Sequence, residues 1–415
     1  MARTRPAQTE TADVEIQIQA VAWLTEQEKS QSEIAALLNM SQSGVSRLKD
    51  KALAKGWLKS EVKCILTPKA LAAAQAYIWP GYANLRNRLE DAMKARPENP
   101  LQLAKTFVFE SGSKTTDPQG YDERLKQFGV RVAAQLSLSD MHKVGVTWGK
   151  TIACVVDALE TRLPLPPRKS SAIEFVPLSG TLLSDPNIRL SSSSLVDRLH
   201  EIVNGQSTGA LSLAAVPARL PGKMLPLTHK LRSLKKQFGL NNKSLWELQR
   251  AILEVYIHEI HGYQNVFLGG VGKEPLAERV DTILTSVGCD YAQSNDPWLN
   301  EMISCETLAK DNDGARRELA RIAVGDLGGI FLPTPDARQE DLEKLADINR
   351  RWKGASESHI QECAVRAANE GKPGVILIAI GARKAKIVKE CVRKGLINQL
   401  VIDRDLAEEI ATANL

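Results

Sequence analysis

The C-terminal stretch Gly374–Asp405, GVILIAIGARKAKIVKECVRKGLINQLVIDRD, decides the fold class of this 415-residue chain. It starts with an apolar run, Val375–Ile380, continues as a helical pattern from near Ala382, and ends in a second strand that finishes at Asp403. A strand, a helix and a strand in this order form a βαβ unit, in which the two strands are parallel. We therefore predict an α/β protein with a mostly parallel sheet.

Strand-length apolar runs alternate with helical patterns from Leu101 onward, which indicates further βαβ units. The predicted strands are Thr106–Glu110, Lys143–Val146, Ile173–Pro177, Asn265–Leu268, Thr282–Val287, Val375–Ile380 and Gln399–Ile402. Two stretches rich in Pro and Ser, Leu163–Ser171 and Ser184–Ser194, are expected to be surface loops. Residues 101–415 are predicted to form one large body that carries effector binding and oligomerisation.

The N-terminal part has a different pattern, with three short amphipathic helices predicted at Val14–Glu26, after Ser30, and at Ser41–Lys55. Gly56 ends the third helix. The polar residues 1–12 are expected to be disordered. Two short strands, 56–58 and 62–66, would complete a wing, so residues 13–68 are predicted to form a winged helix-turn-helix. Residues 69–100, with helices over 69–78 and 83–94, are predicted to be a helical linker.

The window Gln31–Leu48, QSEIAALLNMSQSGVSRL, fits a helix-turn-helix. The small Ala35 lies where the two helices would cross, and Asn39 occupies the turn, where the backbone becomes left-handed. Ser41 is a suitable N-cap for the second helix. The residues expected to face inward are Ile34, Leu38, Met40, Val45, Leu48 and Leu53.

The second helix of this motif carries small hydroxyls, an amide and positive charge, which suit base-edge and phosphate contacts in a major groove. The candidate DNA-binding residues are Ser41, Gln42, Ser43, Ser46, Arg47 and Lys49. Five basic residues lie between positions 41 and 59 against one acid, Asp50. The alternative is a plain three-helix bundle with a solvated charged face.

The segment Lys143–Thr151, KVGVTWGKT, is predicted to be a strand, a tight loop and the start of a helix. A Gly-containing loop at a helix N-terminus presents unpaired amides and can bind an anion. Gly149 would let the backbone approach a phosphate, and Thr147, Lys150 and Thr151 could complete the cradle. The spacing is not that of a Walker A loop, and an ordinary tight turn is the alternative.

The C-terminal unit offers a second candidate site, because ligands of open parallel sheets bind at the carboxyl ends of the strands. Gly381, Arg383, Lys384 and Asp403 lie at such ends. Lys384, near a helix N-terminus, could pair with a ligand phosphate. The alternative for this lysine is a solvated helix face.

Other classes of function find little support in the sequence. The chain has 54 basic and 49 acidic residues, so its net charge of +5 is mild. Its six cysteines form no C-x-x-C motif, and we expect a cytoplasmic protein with no membrane span, no metal and no cofactor. His258 and His261 lack a third ligand. No general acid and base can be paired, so we do not expect an enzyme.

Taken together, these segments resemble the SorC-type (sorbitol operon/deoxyribonucleoside regulator) bacterial transcriptional regulators, which carry a C-terminal sugar-binding domain. The similar segments are the helix-turn-helix Ser32–Arg47, VGVTWGKT at Val144–Thr151, FVPLSG at Phe175–Gly180, Val324–Asp326 with Phe331 and Asn349-Arg350, and Ala379–Asp403. The sequence departs from the family pattern at Ile380 and at Ala382-Arg383.

The resemblance implies an effector domain with the fold of ribose-5-phosphate isomerase and glucosamine-6-phosphate deaminase. It also implies a phosphorylated sugar as effector, and homodimers or homotetramers on palindromic operator DNA. The effector-binding residues that it implies are Thr147, Gly149, Lys150, Thr151, Gly180, Asp281, Lys384 and Asp403, with Asp281 and Asp403 as partners of sugar hydroxyls.

Three functions therefore remain open at the level of sequence. The first is a transcriptional regulator whose operator affinity is controlled by a small phosphorylated sugar-like effector. The second is a sugar-phosphate isomerase or deaminase with an added DNA-binding head, since fold does not fix function. The third is a constitutive DNA-binding protein whose body only oligomerises.

Overall fold

We describe the chain from a computed structural model. The described residues are 7–412 except 28, 59–65, 111–117, 137, 162–172, 182–187, 206–210, 223–232, 234, 270–271, 290, 292–296, 305–307 and 309–310.

The body is built on a six-stranded sheet whose strand pairs are all parallel, which confirms the predicted fold class. Its strands are β1 (Thr106–Phe109), β2 (Lys143–Val146), β3 (Glu174–Pro177), β4 (Thr282–Thr285), β8 (Gly374–Ala379) and β9 (Gln399–Asp403). Their spatial order is β1-β9-β8-β4-β2-β3, so β1 and β3 are the edge strands. A second, antiparallel sheet joins β5 (Val287–Gly288), β6 (Ala323–Leu327) and β7 (Ile330–Pro333).

Strand β8 shows why the sequence forms this sheet, since every residue of Gly374–Ala379 is buried. Val375 and Leu377 point into the core on one face, and Ile376 and Ile378 into the core on the other. A strand covered on both faces must be apolar throughout, and this is the pattern that the C-terminal stretch displays.

Helices cover both faces of the sheet. In the body they are α6 (Pro118–Gln135), α7 (Lys150–Thr161), α8 (Ser192–Asn204), α9 (Asn242–Glu259), α10 (His261–Tyr263), α11 (Leu276–Arg279), α12 (Pro297–Ser304), α13 (Asn312–Ile322), α14 (Gln339–Arg350), α15 (Glu357–Glu370), α16 (Ala385–Arg393) and α17 (Arg404–Thr412). Short 3-10 turns occupy 103–105, 138–140, 188–190 and 382–384.

The N-terminal head contains the predicted helix-turn-helix. Its helices are α1 (Ala7–Glu26), α2 (Gln31–Leu37) and α3 (Gln42–Ala54), followed by α4 (Pro68–Ile78) and α5 (Tyr82–Met93). Ser30 and Ser41 cap α2 and α3 through their hydroxyls. Asn39, in the turn, has φ 50°, the left-handed conformation predicted for it.

The head is joined to the body at the outer edge of β1. The ring of Trp23 on α1 stacks on Phe109 with 5.7 Å between ring centroids. The side-chain amide of Gln75 on α4 accepts from Val108 N at 2.7 Å and donates to Thr106 O at 3.3 Å. Gln27, just after α1, accepts from the amide of Glu110 at 3.2 Å. These two glutamines bond to backbone groups of the edge strand that β9 leaves free.

Some predicted elements of the body are wrong. Asn265–Leu268 lies in a π-helical turn, Gln264–Leu268; the prediction failed because three consecutive apolar residues do not distinguish a strand from a buried helical turn. The strand predicted at Thr282–Val287 is divided at Ser286 between the two sheets. The hairpin β6–β7 was not predicted. The segment Ser184–Ser194 is in part helical, with Ser191 as the N-cap of α8, while residues 182–187 and 162–172 lie outside the described residues.

Three expectations for the head also need correction. Helix α1 begins at Ala7, so the described part of the segment expected to be disordered, residues 7–12, is helical, while residues 1–6 lie outside the described residues. Leu53 is exposed, and Ala52 takes the inward position. Residues 56–58 fold back on α3, with the amides of Trp57 and Leu58 bonded to Ala52 O, rather than forming a strand. The rest of the predicted wing lies outside the described residues.

Replacing Gln75 by Leu tests how far the edge of β1 depends on this amide. The change would leave Val108 N–H and Thr106 C=O buried without this partner, and each such group costs about 1–3 kcal/mol. We expect a loss of about 2 kcal/mol or more in the free energy of unfolding, measured by urea denaturation.

The matched control is Gln31→Leu, at an exposed position of α2, for which we expect a change within about 0.5 kcal/mol. Equal stability of the two variants would show that the Gln75 bonds do not support the edge strand.

Candidate functional site

The outer face of α3 is open to solvent. Ser41, Gln42, Ser43 and Arg47 are exposed, whereas Ser46 and Lys49 are half-buried. On the opposite side of the helix Val45, Leu48 and Ala52 are buried in the head. The amphipathic pattern therefore leaves the N-terminal turn of α3 on the surface of the head, where its side chains can be reached by another molecule.

The positive charge on α3 is smaller than the sequence suggests. Lys55 pairs with Glu15 at 3.0 Å and lies over the ring of Trp57, so it is partly neutralised. Lys59 lies outside the described residues. Arg47 donates from Nε to Ser43 O at 3.3 Å, and its side chain is exposed.

A cleft of about 240 Å³ lies at the carboxyl ends of β2, β4 and β8, where a parallel sheet places its ligands. The antiparallel sheet forms one side of it. We call this the ligand cleft; its lining residues are Tyr121, Trp148, Gly149, Lys150, Thr151, Leu190, Ser286, Val287, Gly288, Cys289, Tyr291, Leu299, Asp326, Gly328 and Lys384.

The amino end of α7 forms the cationic side of the ligand cleft. Gly149 has φ 114°, a conformation that favours glycine, and it directs the chain from β2 into the helix. Lys150 is exposed and Lys384 half-buried, and neither is in an ion pair within the described part of the chain. The first amides of α7 have no acceptor inside the helix. This side of the cleft can therefore hold an anion.

A buried acid lies on the other side of the ligand cleft. Asp326 accepts from the hydroxyl of Tyr291 at 2.8 Å and from the amide of Gly329 at 3.0 Å. Burial, and then the Asp326 charge, raise the pKa of Tyr291 well above its usual range, so the phenol stays a donor. Gly288 approaches the carboxylate so closely that a Cβ there would collide with it. The acid is thus held in a fixed orientation beside the cleft.

Four of the eight predicted effector residues line the ligand cleft, namely Gly149, Lys150, Thr151 and Lys384. Thr147 lies behind them, buried, with its hydroxyl 3.3 Å from Leu284 O. Gly180 is packed against the backbone of Val216 and Pro217, away from the lining.

The two predicted partners of sugar hydroxyls are not in the ligand cleft. Asp281 precedes β4, at the opposite end of the sheet, where it accepts from Lys143 N at 3.3 Å and Thr282 Oγ1 at 2.9 Å. Asp281 was expected in the cleft only from the family resemblance, whereas the strand predicted at Thr282–Val287 already puts it at the amino end of that strand, away from the end where parallel sheets bind ligands.

Asp403 supports the ligand cleft from behind. It is buried and accepts from the amide of Gly381 at 2.9 Å, the amide of Leu406 at 3.2 Å and Arg124 Nη2 at 3.1 Å. Burial raises the pKa of this carboxyl, and the two amide bonds oppose that rise. Because Lys384 follows Gly381 by three residues, Asp403 positions the turn that carries the lysine.

The sequence reasoning missed the aromatic and acidic residues of the ligand cleft: Tyr121, Trp148, Tyr291 and Asp326. Trp148 lies in the segment Lys143–Thr151 and Asp326 in Val324–Asp326, and both segments were noted in the sequence. No rule of sequence spacing predicts that the two residues meet. Their proximity depends on the β5–β6 pairing, in which Gly288 lies opposite Asp326. The sequence carried no signal for this pairing, because the two strands are far apart along the chain.

The described residues also bear on thiol chemistry, membrane insertion and metal binding. Among them, Cys154, Cys289, Cys363 and Cys391 form no disulfide, and burial raises the pKa of Cys154 to about 11. None of the described helices is long and apolar enough to cross a bilayer. No group of three His, Cys, Asp or Glu side chains suited to a metal ion occurs in the described ranges.

No family model matches the sequence, and no curated protein matches it either. Among solved structures, the chain is similar to the full-length sorbitol operon regulator SorC from Klebsiella pneumoniae, at 16% identity and TM-score 0.49, over 97% of this chain and 100% of that one. It is similar to a DeoR family transcriptional regulator from Listeria monocytogenes, at 18% identity and TM-score 0.43, over 77% and 98% of the two chains. It is also similar to a transcriptional regulator from Streptococcus pneumoniae TIGR4, at 16% identity and TM-score 0.42, over 78% and 97%. The solved structures similar to this chain thus include SorC- and DeoR-type transcriptional regulators.

Proposed function

We propose that this protein is a DNA-binding transcriptional regulator whose affinity for its operator is controlled by a small phosphorylated sugar-like ligand. The observation that carries the proposal is the arrangement of the head. The outer face of α3 is exposed, while α1 of the same head is fixed against β1 of the body. Such a head can present a recognition helix to a major groove in an orientation that the body controls.

The ligand cleft supports an effector that combines an anionic group with hydroxyls. The amino end of α7, Lys150 and Lys384 would hold the phosphate, because unpaired amides and cations favour a dianion. Asp326 is an acceptor suited to a sugar hydroxyl. A purely apolar ligand would leave these charged groups desolvated and unpaired.

A continuous set of polar contacts leads from the ligand cleft towards the head. Gly381, next to the turn with Lys384, is bonded to Asp403 at the end of β9. The next residue, Arg404, pairs with Glu110 at 3.0 Å, and the amide of Glu110 is bonded to Gln27 beside α1. A ligand that moves the Lys384 turn can therefore change how the head is held. Allostery requires that the ligand make different contacts in the two states of the protein, and the Lys384 turn would provide this difference.

We further propose that the protein acts as a homodimer or homotetramer on a palindromic operator. Two heads related by a two-fold axis would contact half-sites about one helical turn apart, or multiples of this distance.

The variant Arg47→Ala tests the DNA interface. On duplexes selected from a random pool by the wild-type protein, we expect affinity to fall about 5- to 150-fold, as the loss of one good contact of 1–3 kcal/mol predicts. The measurement is fluorescence anisotropy at fixed salt. Binding of the ligand in the cleft should be unchanged.

The matched control is Arg350→Ala, an exposed arginine of α14 outside the head, which should keep wild-type affinity for DNA. If both variants bind DNA as the wild type does, α3 does not lie in the groove.

The variants Lys150→Gln and Lys384→Gln test the ligand cleft. A panel of aldose and ketose phosphates is screened by the rise in unfolding temperature, which follows RT ln(1 + [L]/Kd). We expect a sugar phosphate, but not the free sugar, to stabilise the wild type. Each lysine variant should weaken this ligand about tenfold or more, as a charged hydrogen bond of about 1.5–3 kcal/mol implies.

Lys386→Gln, at an exposed position of α16, is the control and should bind as the wild type does. A protein that no sugar phosphate stabilises would contradict the effector proposal, and would favour a constitutive DNA-binding protein. Steady turnover of the ligand would favour an isomerase or deaminase.

A further inference from the structure

A second cavity, also of about 240 Å³, lies at the opposite end of the sheet from the ligand cleft. It lies at the amino ends of β1, β8 and β9, between the sheet, α6 and the first and fourth helices of the head. We call it the junction cavity; its lining residues are Trp23, Leu66, Leu71, Ala104, Lys105, Phe107, Val132, Gln135, Leu136, Asp140, Met141, Pro373, Ile376, Gln399 and Val401.

Most of the junction cavity is apolar. Phe107 of β1 and Leu136, just after α6, are only half-buried, although both pack against the core beneath. The ring of Phe107 lies 6.4 Å from that of Trp23, so two aromatic rings border the empty space. Side chains beside such a space lack dispersion partners on one side, and an apolar ligand would supply them.

One cation lies at the polar side of this cavity. Lys105 is half-buried just before β1, and within the described residues it takes part in no ion pair. Asp140, the acidic residue of the lining, already has an interaction of its own. The amide of Gln399 donates to Pro373 O at 2.8 Å, so the amide nitrogen is engaged there. An unpaired ammonium beside apolar walls favours an anionic group on an apolar body.

We propose that the junction cavity binds a small apolar carboxylate, with its carboxylate at Lys105 and its body against Trp23 and Phe107. The size of the cavity limits the ligand. By comparison with the ~150 Å³ cavity that holds benzene, it accommodates about ten to twelve non-hydrogen atoms. This is the size of a phenylpropanoate or a medium-chain fatty acid.

The junction cavity lies between the head and the body, so a ligand bound there would affect how firmly the two are held together. Trp23 and Leu71 belong to the head, whereas Phe107, Leu136 and Val401 belong to the body. A ligand that contacts both parts strengthens their association, so it adds to the glutamine contacts at the same edge strand. The inference concerns binding at this cavity and does not depend on the identity of the ligand in the cleft.

The test uses a matched pair of probes on the full-length protein, 3-phenylpropanoate and the neutral 3-phenylpropan-1-ol, followed by isothermal titration calorimetry. The acid should bind saturably and more tightly than the alcohol. In Lys105→Gln the affinity for the acid should fall about tenfold, while that for the alcohol stays the same, because only the acid loses an ion pair. Lys126→Gln, an exposed lysine of α6, is the control and should change neither affinity.

Two further variants fill the cavity from different sides. Leu136→Trp, just after α6, and Ala104→Phe, at an exposed position before β1, should each abolish binding of both probes while the unfolding temperature stays near that of the wild type. If Leu136→Trp fails to fold, Ala104→Phe alone decides. The proposal is overturned if neither probe binds saturably, if Lys105→Gln affects acid and alcohol equally, or if a folded cavity-filling variant binds as the wild type does. Each of these results leaves the DNA and sugar-phosphate experiments unaffected.

Discussion

The pairing of the edge strand β1 with two glutamine side chains is the contact on which the arrangement of this molecule depends. An edge strand exposes a row of unpaired amides and carbonyls, which proteins normally cover or disrupt because they invite aggregation. Here Gln75 supplies both an acceptor and a donor to one side of β1, and Gln27 supplies an acceptor to the residue after it. The helices that carry or precede these glutamines belong to the head. The head therefore completes the sheet, and it is fixed by the same hydrogen bonds that protect the edge.

This constraint explains why β1 can connect two distant sites. Its amino end borders the junction cavity through Lys105 and Phe107, and its carboxyl end leads to Glu110, which pairs with Arg404. The ligand cleft lies at the carboxyl ends of the neighbouring strands, and Asp403 of β9 lies opposite Phe109 in the register. In the coupling proposed above, a displacement at either end of β1 would be passed to the glutamine contacts.

The parts of the fold that could be predicted from sequence are those that local pattern determines. The apolar run of β8 predicted the parallel sheet, and Asn39 predicted the left-handed turn of the head. Gly149 and Lys150 predicted one side of the ligand cleft. The parts that could not be predicted depend on pairing between distant segments. The β5–β6 contact that brings Asp326 to the cleft is one of these, and the packing of Gly180 on Val216 and Pro217, away from the cleft, is another. The π-helical turn at Gln264–Leu268 shows a third limit, since a short apolar run has no period of its own.

The hydrogen bonds of Asp403 have free energies large enough for the proposed coupling between the ligand cleft and the head. This carboxylate is buried, and burial alone raises its pKa, so its charge is maintained by the amides of Gly381 and Leu406 and by Arg124. A hydrogen bond to a charged group contributes about 1.5–3 kcal/mol. Coupling free energies between allosteric sites are typically about 1–3 kcal/mol. The free energy of one or two bonds of this carboxylate is therefore of the size that the proposed coupling between the ligand cleft and the head needs.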